Sequence, residues 1–181
     1  MRVYVPATLP VLARVRDAGA LSAVEAGQSG ERIAAHAVTP AVREWYIEGD
    51  VEDLEYTALL EAAEAALALL AADPDAPRRR AVLAADVPDA MVTPGGRFRS
   101  SVWVTGPVPV DRLVSVHVDE PEVADTVDAA VGALAAAEGG DDDAQFLIDE
   151  AEACDLLWYD VTELDHLVPS TDIGSQQDPA R

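Results

Sequence analysis

The stretch Asp50–Ala72, DVEDLEYTALLEAAEAALALLAA, decides how the rest of the chain must fold. Asp50 follows Gly49, and Asp53 stands three residues on, a capping-box pattern that opens a helix. Pro74 closes it. On a helical wheel Val51, Leu54, Ala58, Ala62, Ala65 and Leu69 share one face. Tyr56, Leu59, Ala63, Ala66, Leu67 and Leu70 widen it. Asp53, Thr57, Glu61 and Glu64 alone form a polar stripe. A helix this apolar is buried over most of its circumference, so a sheet and neighbouring helices must surround it.

Outward from that helix, both flanks alternate short strands with short helices. On the N-terminal side, Arg2–Val5 reads as a strand and Leu9–Arg16 as a helix capped by Thr8 and ended by Gly19. The span 22–31 is a polar loop with two glycines, and Ile33–Val38 a strand. Thr39-Pro40 starts a helix with proline at its first position. On the C-terminal side, Arg79–Ala85, Ser101–Thr105, Leu113–Val118 and Leu156–Asp160 read as strands. Helices follow Glu120-Pro121, span Ala144–Ala153 and follow Thr162. Residues 169–181 form a polar tail expected to be disordered. The pattern predicts one α+β domain over 1–168, an antiparallel or mixed sheet with helices packed on one face. It is compatible with an elaborated ferredoxin-like βαββαβ core. Val3-Tyr4-Val5 with Leu9-Pro10 echoes Val102-Trp103-Val104 with Val108-Pro109, a recurrence that chance explains in an Ala/Val-rich chain.

Composition narrows the function classes. The 181 residues carry 12 Lys+Arg against 34 Asp+Glu, a formal net charge of −22. Such a chain repels a phosphate backbone, which argues against nucleic acid. Lysine and asparagine are both absent, as a high-GC genome or adaptation to salt would favour. Cys154 is the single cysteine, so no intrachain disulfide forms. There is no signal-peptide h-region near the start and no apolar run of ~20 residues. The expectation is a soluble cytoplasmic protein without a membrane partner.

Catalytic patterns are weak. Ser115, His117 and Asp119 alternate along one strand, but residues two apart sit ~6.5–7 Å from one another, too far for a nucleophile and its base. The sequence favours the wet side of a strand whose Val114, Val116 and Val118 face the core. His36, His117 and His166 lack the spacing of a zinc site, and Asp141–Asp143 lacks that of a calcium loop. No cofactor or metal is expected. Arg78-Arg79-Arg80 is the one basic run, suited to a phosphate or a carboxylate, or simply to an exposed strand entry. Arg97 and Arg99 beside Gly95-Gly96 are expected at the opposite end of the sheet.

The densest group of functional side chains is His36, Arg43, Glu44, Trp45 and Tyr46. Aromatic and arginine side chains dominate interface energetics, and adjacent helical positions point ~100° apart. Trp45 or Tyr46 is therefore expected to stand exposed. The leading reading is a non-enzymatic domain that binds a protein partner or self-associates. The alternative is an enzyme using His36 or His117 as base with a nearby carboxylate.

Four segments carry a family resemblance. They are Arg2-Val3-Tyr4-Val5-Pro6-Ala7-Thr8, Ala35-His36-Ala37-Val38-Thr39-Pro40 with Arg43-Glu44-Trp45-Tyr46, Ala84-Ala85-Asp86-Val87-Pro88-Asp89, and Leu156-Leu157-Trp158-Tyr159. Together they resemble a family of conserved hypothetical proteins from high-GC actinobacteria, a domain of unknown function. The resemblance implies the high-GC origin and transfers no activity and no site residue.

Overall fold

A computed structural model describes residues 1–24, 26–28, 30–45 and 50–168. In chain order the elements are β1 (Arg2–Thr8), α1 (Leu9–Ala18), β2 (Ala20–Leu21), β3 (Arg32–His36), α2 (Pro40–Trp45), α3 (Val51–Ala72) and β4 (Arg80–Asp86). Then follow β5 (Val92–Pro94), β6 (Ser101–Thr105), β7 (Val108–Pro109), β8 (Leu113–Asp119), α4 (Ala124–Glu138), α5 (Asp142–Glu152), β9 (Leu156–Tyr159) and α6 (Leu164–Leu167). Seven strands form one sheet in the order β5-β6-β3-β1-β4-β8-β9, and β2 pairs with β7 separately.

Every pair in the large sheet is antiparallel. The α+β class with an antiparallel sheet stands, and α2 and α3 carry the chain from β3 to β4 across the intervening β1, as in a split βαβ unit. Helices cover both faces, not one. Val3, Val5, Leu83, Val116 and Val118 pack with Val11, Leu12 and Val15 of α1 and with Leu164 of α6. On the opposite face Tyr4, Val82 and Ala84 pack against Ala58, Leu59, Ala62 and Ala63 of α3. The period-2 alternation of a strand makes this division. α1 was legible as a helix, but not as the cover of a second face.

β1 is central although it contains Pro6, which can donate no ladder hydrogen bond. It pairs along its whole length with β4, Arg2 opposite Asp86 through Thr8 opposite Arg80. Against β3 the register is set by Tyr4 opposite His36. Extending it two residues sets Ala34 opposite Pro6. There the side-chain amide of Gln28 intervenes: Ala34 N–H donates to Oε1 at 2.5 Å, and Nε2 donates to the Ala34 carbonyl at 3.2 Å. The loop that the sequence reads as polar thus repairs the sheet, and its Ala23 and Ala26 are buried in the core.

α3 begins as read. Asp50 accepts hydrogen bonds from the Glu52 and Asp53 amides, and Asp53 accepts from the Asp50 amide, closing the capping box. Its second half, through Leu67 and Leu70, packs on Val127 and Ala130 of α4 and on Ile148 and Ala151 of α5. The Asp141–Asp143 run serves this hairpin, since Asp141 Oδ1 caps α5 by accepting from the Ala144 amide at 3.0 Å. The stop expected at Gly49 and the tail 169–181 lie outside the described residues.

Candidate functional site

The segment Gly95–Ser100, between β5 and β6, connects the sheet to α2 and α3. Its two glycines adopt φ +157° and +130°. A Cβ on Gly96 would lie 2.4 Å from Ser101 Cβ, so the path is open to glycine only. At its far end Thr39 Oγ1 donates to the Arg99 carbonyl at 2.6 Å and accepts from the Val42 amide at 3.2 Å. One threonine therefore caps α2 and ties it to the loop.

His36 anchors the same loop from below. Its Nδ1 lies 2.7 Å from Ser100 Oγ, and Ser100 Oγ also bonds Glu61 of α3. The Ser100 amide donates to the same carboxylate oxygen at 3.3 Å. Burial raises the Glu61 pKa, but His36, 3.9 Å away, and the hydrogen bonds from Ser100 outweigh it and hold the group below the ordinary carboxylate range. An ionised Glu61 only accepts, so the Ser100 hydroxyl donates to it and His36 Nδ1–H donates to Ser100. The hydroxyl sits between imidazole and carboxylate, whereas in a nucleophilic triad the imidazole sits between. Ser100 is also fully buried. The arrangement is a pin joining β3, α3 and the loop, and His36 does not belong to the exposed surface with which the sequence groups it. The His36 ring also packs on Phe98, with centroids 5.5 Å apart.

Above the pin the surface is basic and aromatic. Trp45 is 61% exposed, as expected of that position. The Arg99 guanidinium lies over its ring, 3.9 Å from the centroid, and Arg97 lies 5.6 Å from the Phe98 centroid. Arg43 and Glu44 are exposed on the same short helix. Tyr46 falls outside the described residues. A groove of about 480 Å³ runs beside this face, lined by Thr39–Ala41 and by Pro94–Arg99 with Ser101. The sequence placed Arg97 and Arg99 near glycines but gave no signal that α2 would stack against them.

Arg78-Arg79-Arg80 is neither a binding site nor an exposed strand entry. Arg78 Nη1 donates to the Leu70 carbonyl at the end of α3 and Nε pairs with Asp128, each at 2.8 Å. Arg79 Nε donates to the Asp119 carbonyl at 2.7 Å. Arg80 is fully buried and forks onto Asp119, Nε to Oδ2 at 2.9 Å and Nη2 to Oδ1 at 2.7 Å. These arginines are spent on architecture.

Asp119 is thereby removed from Ser115 and His117, yet those two do meet: Ser115 Oγ lies 3.0 Å from His117 Nε2. The length of the imidazole closes the gap that the backbone spacing left open. Nor is this side of β8 wet, since Ser115 and Asp119 are buried on the α3 face. A register shift in the β4–β8 ladder at Ala84/Ala85 turns Val114 towards the same side. His117 joins Arg2, Glu52 and Glu55 around a second cavity of about 250 Å³. A histidine, an arginine and carboxylates thus converge, but Arg2 is tied to Asp86 and His117 to Ser115. Burial holds His117 below its ordinary pKa.

All of these contacts lie within residues 1–168, the span matched by the model of a single protein family. The chain belongs to DUF6912, a family of unknown function. No curated protein and no solved structure matches the chain. Among the described residues of this DUF6912 member, no group of three or more His, Cys, Asp or Glu is placed to hold a metal ion. No described helix is long and apolar enough to cross a membrane.

Beside the pin lies a third cavity, of about 310 Å³, lined by Thr57, Leu60, Glu61, Glu64, Phe98 and Glu152. Burial and the charge of Glu152 push Glu64 up to about 7. Burial and Asp149 raise Glu152 as well. Glu64 carries the larger shift and is the first of the two to take up a proton. The stripe that the sequence read as polar is in part a half-buried carboxyl pair behind Phe98.

Proposed function

We propose that the face formed by Arg43, Trp45, Arg97 and Arg99 binds an acidic linear segment of a partner protein. One observation carries this reading: in a chain of net charge −22, two well-exposed arginines lie over aromatic rings at one loop. Among the described residues Arg43 and Arg99 have no ion-pair partner, and Arg97 reaches only Glu138, at 3.5 Å. Guanidinium groups lying over rings keep N–H donors available to carboxylates. The exposed ring supplies the apolar anchor that interfaces favour. The pin of His36, Ser100 and Glu61 holds this face in shape, so little ordering is needed on binding.

A second copy of the chain also offers acidic surface, but two bodies of charge −22 repel on approach. A partner segment is the better occupant. The same charge argues against nucleic acid, and the buried His–Ser–Glu arrangement favours binding over catalysis. We place the protein in the cytoplasm of a high-GC actinobacterium, a setting supported by the missing lysine and asparagine and by the lone Cys154.

The test is calorimetric titration of the full chain with a Glu-rich peptide carrying one aromatic residue. Saturable binding that weakens with salt and is lost in Arg97→Glu/Arg99→Glu supports the proposal. Binding that ignores the charge reversal, or no binding at low salt, overturns it. A dimer that dissociates in the same variant would replace the partner by a second copy.

A further inference from the structure

The cavity beneath Trp158 plays no part in that reading. It is lined by Arg2 and Tyr4 of β1, by Glu52, Glu55, Tyr56 and Leu59 of α3, by Ala84 of β4, by Val114, Ser115 and His117 of β8, and by Trp158 of β9. The chain is only 5% aromatic, yet three of its rings line this one volume. Tyr56 and Trp158 are 50% and 60% exposed, an unfavourable placement for large rings unless something covers them. They come from different elements: Trp158 stands opposite His117 in the β8–β9 ladder, while Tyr56 lies one turn along α3 from Glu52.

The charges are as informative as the rings. Arg2 is neutralised by Asp86, to which Nε and Nη2 donate at 3.1 and 3.0 Å. His117 is kept neutral by burial and bonds Ser115. Tyr4 donates its hydroxyl to Glu55 Oε2 at 3.3 Å, and burial with the Glu55 charge raises its pKa, so it stays a neutral phenol. That leaves Glu52 and Glu55 as carboxylates with no ion-pair partner among the described residues. The cavity thus combines aromatic walls, a neutral floor and uncompensated negative charge.

We propose that this cavity is a binding site for an organic ammonium ion, held by Tyr56 and Trp158 through cation–π contact and by Glu52 and Glu55 through charge. The negative face of an aromatic ring attracts a cation that is too weakly hydrated to resist transfer from water, and alkylammonium groups fit that description. A cavity of about 250 Å³ lies below the ~300–1,000 Å³ usual for drug-sized ligands, so the ligand is small or is the end of a side chain. A free amine and a methylated lysine of a peptide share this chemistry.

The experiment titrates the full chain with choline, with its uncharged isostere 3,3-dimethylbutanol, and with a short trimethyllysine peptide, read by calorimetry. Choline or the peptide should saturate one site, with the alcohol weaker by about tenfold. Trp158→Ala and Glu55→Gln should each weaken ammonium binding by about tenfold, while Trp45→Ala leaves it unchanged. The more tightly bound of choline and peptide identifies the source, and either ranking supports an ammonium site. Should Trp158→Ala fail to fold, Tyr56→Ala and Trp158→Phe take its place. The alcohol binding as well as choline, no saturation by either cation at roughly 50 mM, or a folded Glu55→Gln that binds normally would overturn the proposal.

Discussion

Replacing Glu64 by glutamine should stabilise the protein at pH 8 and much less near pH 5. Glu64 faces Glu152 in a cavity walled by Leu60 and Phe98, and burial with that neighbouring charge pushes its pKa from 4.5 to about 7. The fold therefore binds this proton more tightly than the unfolded chain does. Between pH 4.5 and 7 the unfolded state releases the proton first, so this group's contribution to stability falls as pH rises. Above 7 the full penalty is present, and below 4.5 it vanishes. A shift of this size corresponds to about 3 kcal/mol at ~1.36 kcal/mol per unit. The cavity is open to water, and screening reduces that to about 1–2 kcal/mol. Glutamine resembles the protonated acid and keeps a donor for Glu152. At ~2–4 °C per kcal/mol for a chain of this size, the variant should melt roughly 2–8 °C higher at pH 8. Thermal melts of both proteins from pH 5 to 8.5 supply a difference curve, in which the opposing contribution of His117 cancels. A difference that stays flat, or that grows towards acid, would refute the argument.

Other perturbations test the frame around the proposed surface. Arg80→Ala leaves Asp119 buried without its partner and should cost about 3–5 kcal/mol in urea denaturation, whereas Arg97→Ala, at an exposed position, should cost less than about 0.5 kcal/mol. Gly96→Ala forces a Cβ onto Ser101 at φ +130°; it should destabilise by about 1–3 kcal/mol and weaken acidic-peptide binding more than amine binding. With a net charge of −22, the melting temperature should rise as salt shortens the Debye length from ~30 to ~8 Å and then level off. A fall over that range would mean that arginine pairs outweigh carboxylate repulsion.

Much of the frame was legible because it depends on local rules. The capping box of Asp50 and Asp53, the proline at the start of α2 and the alternation in β8 each specify an element without tertiary help. The strand order was not legible, since antiparallel partners separated by dozens of residues leave no local mark. The polar stripe of α3 misled for the same reason: Glu61 and Glu64 face a loop and α5, and both partners are remote in sequence. Arg78-Arg79-Arg80 looked like surface because a basic run usually is, but Asp119 and the end of α3 absorb it. His36 and Trp45 were singled out together, and the structure separates them into a buried support and an exposed ring. Ser100, Phe98 and Arg99 were not joined to them, because only the Gly95-Gly96 turn and the Thr39 bond bring loop and helix together. Tyr56 was read as part of the apolar face of α3 and Trp158 only as part of a strand, and nothing in their spacing announced a shared cavity.

The binding reading is tested most directly by the indole N–H resonances of Trp45, Trp103 and Trp158, assigned with single Trp→Phe variants. On titration with the Glu-rich peptide, the Trp45 signal should shift saturably while that of Trp158 stays in place, and the shift should vanish in Arg97→Glu/Arg99→Glu. A peptide that moves Trp158 or Trp103 but not Trp45, or that moves Trp45 equally in the charge-reversed protein, would contradict the assignment of this face as the binding surface.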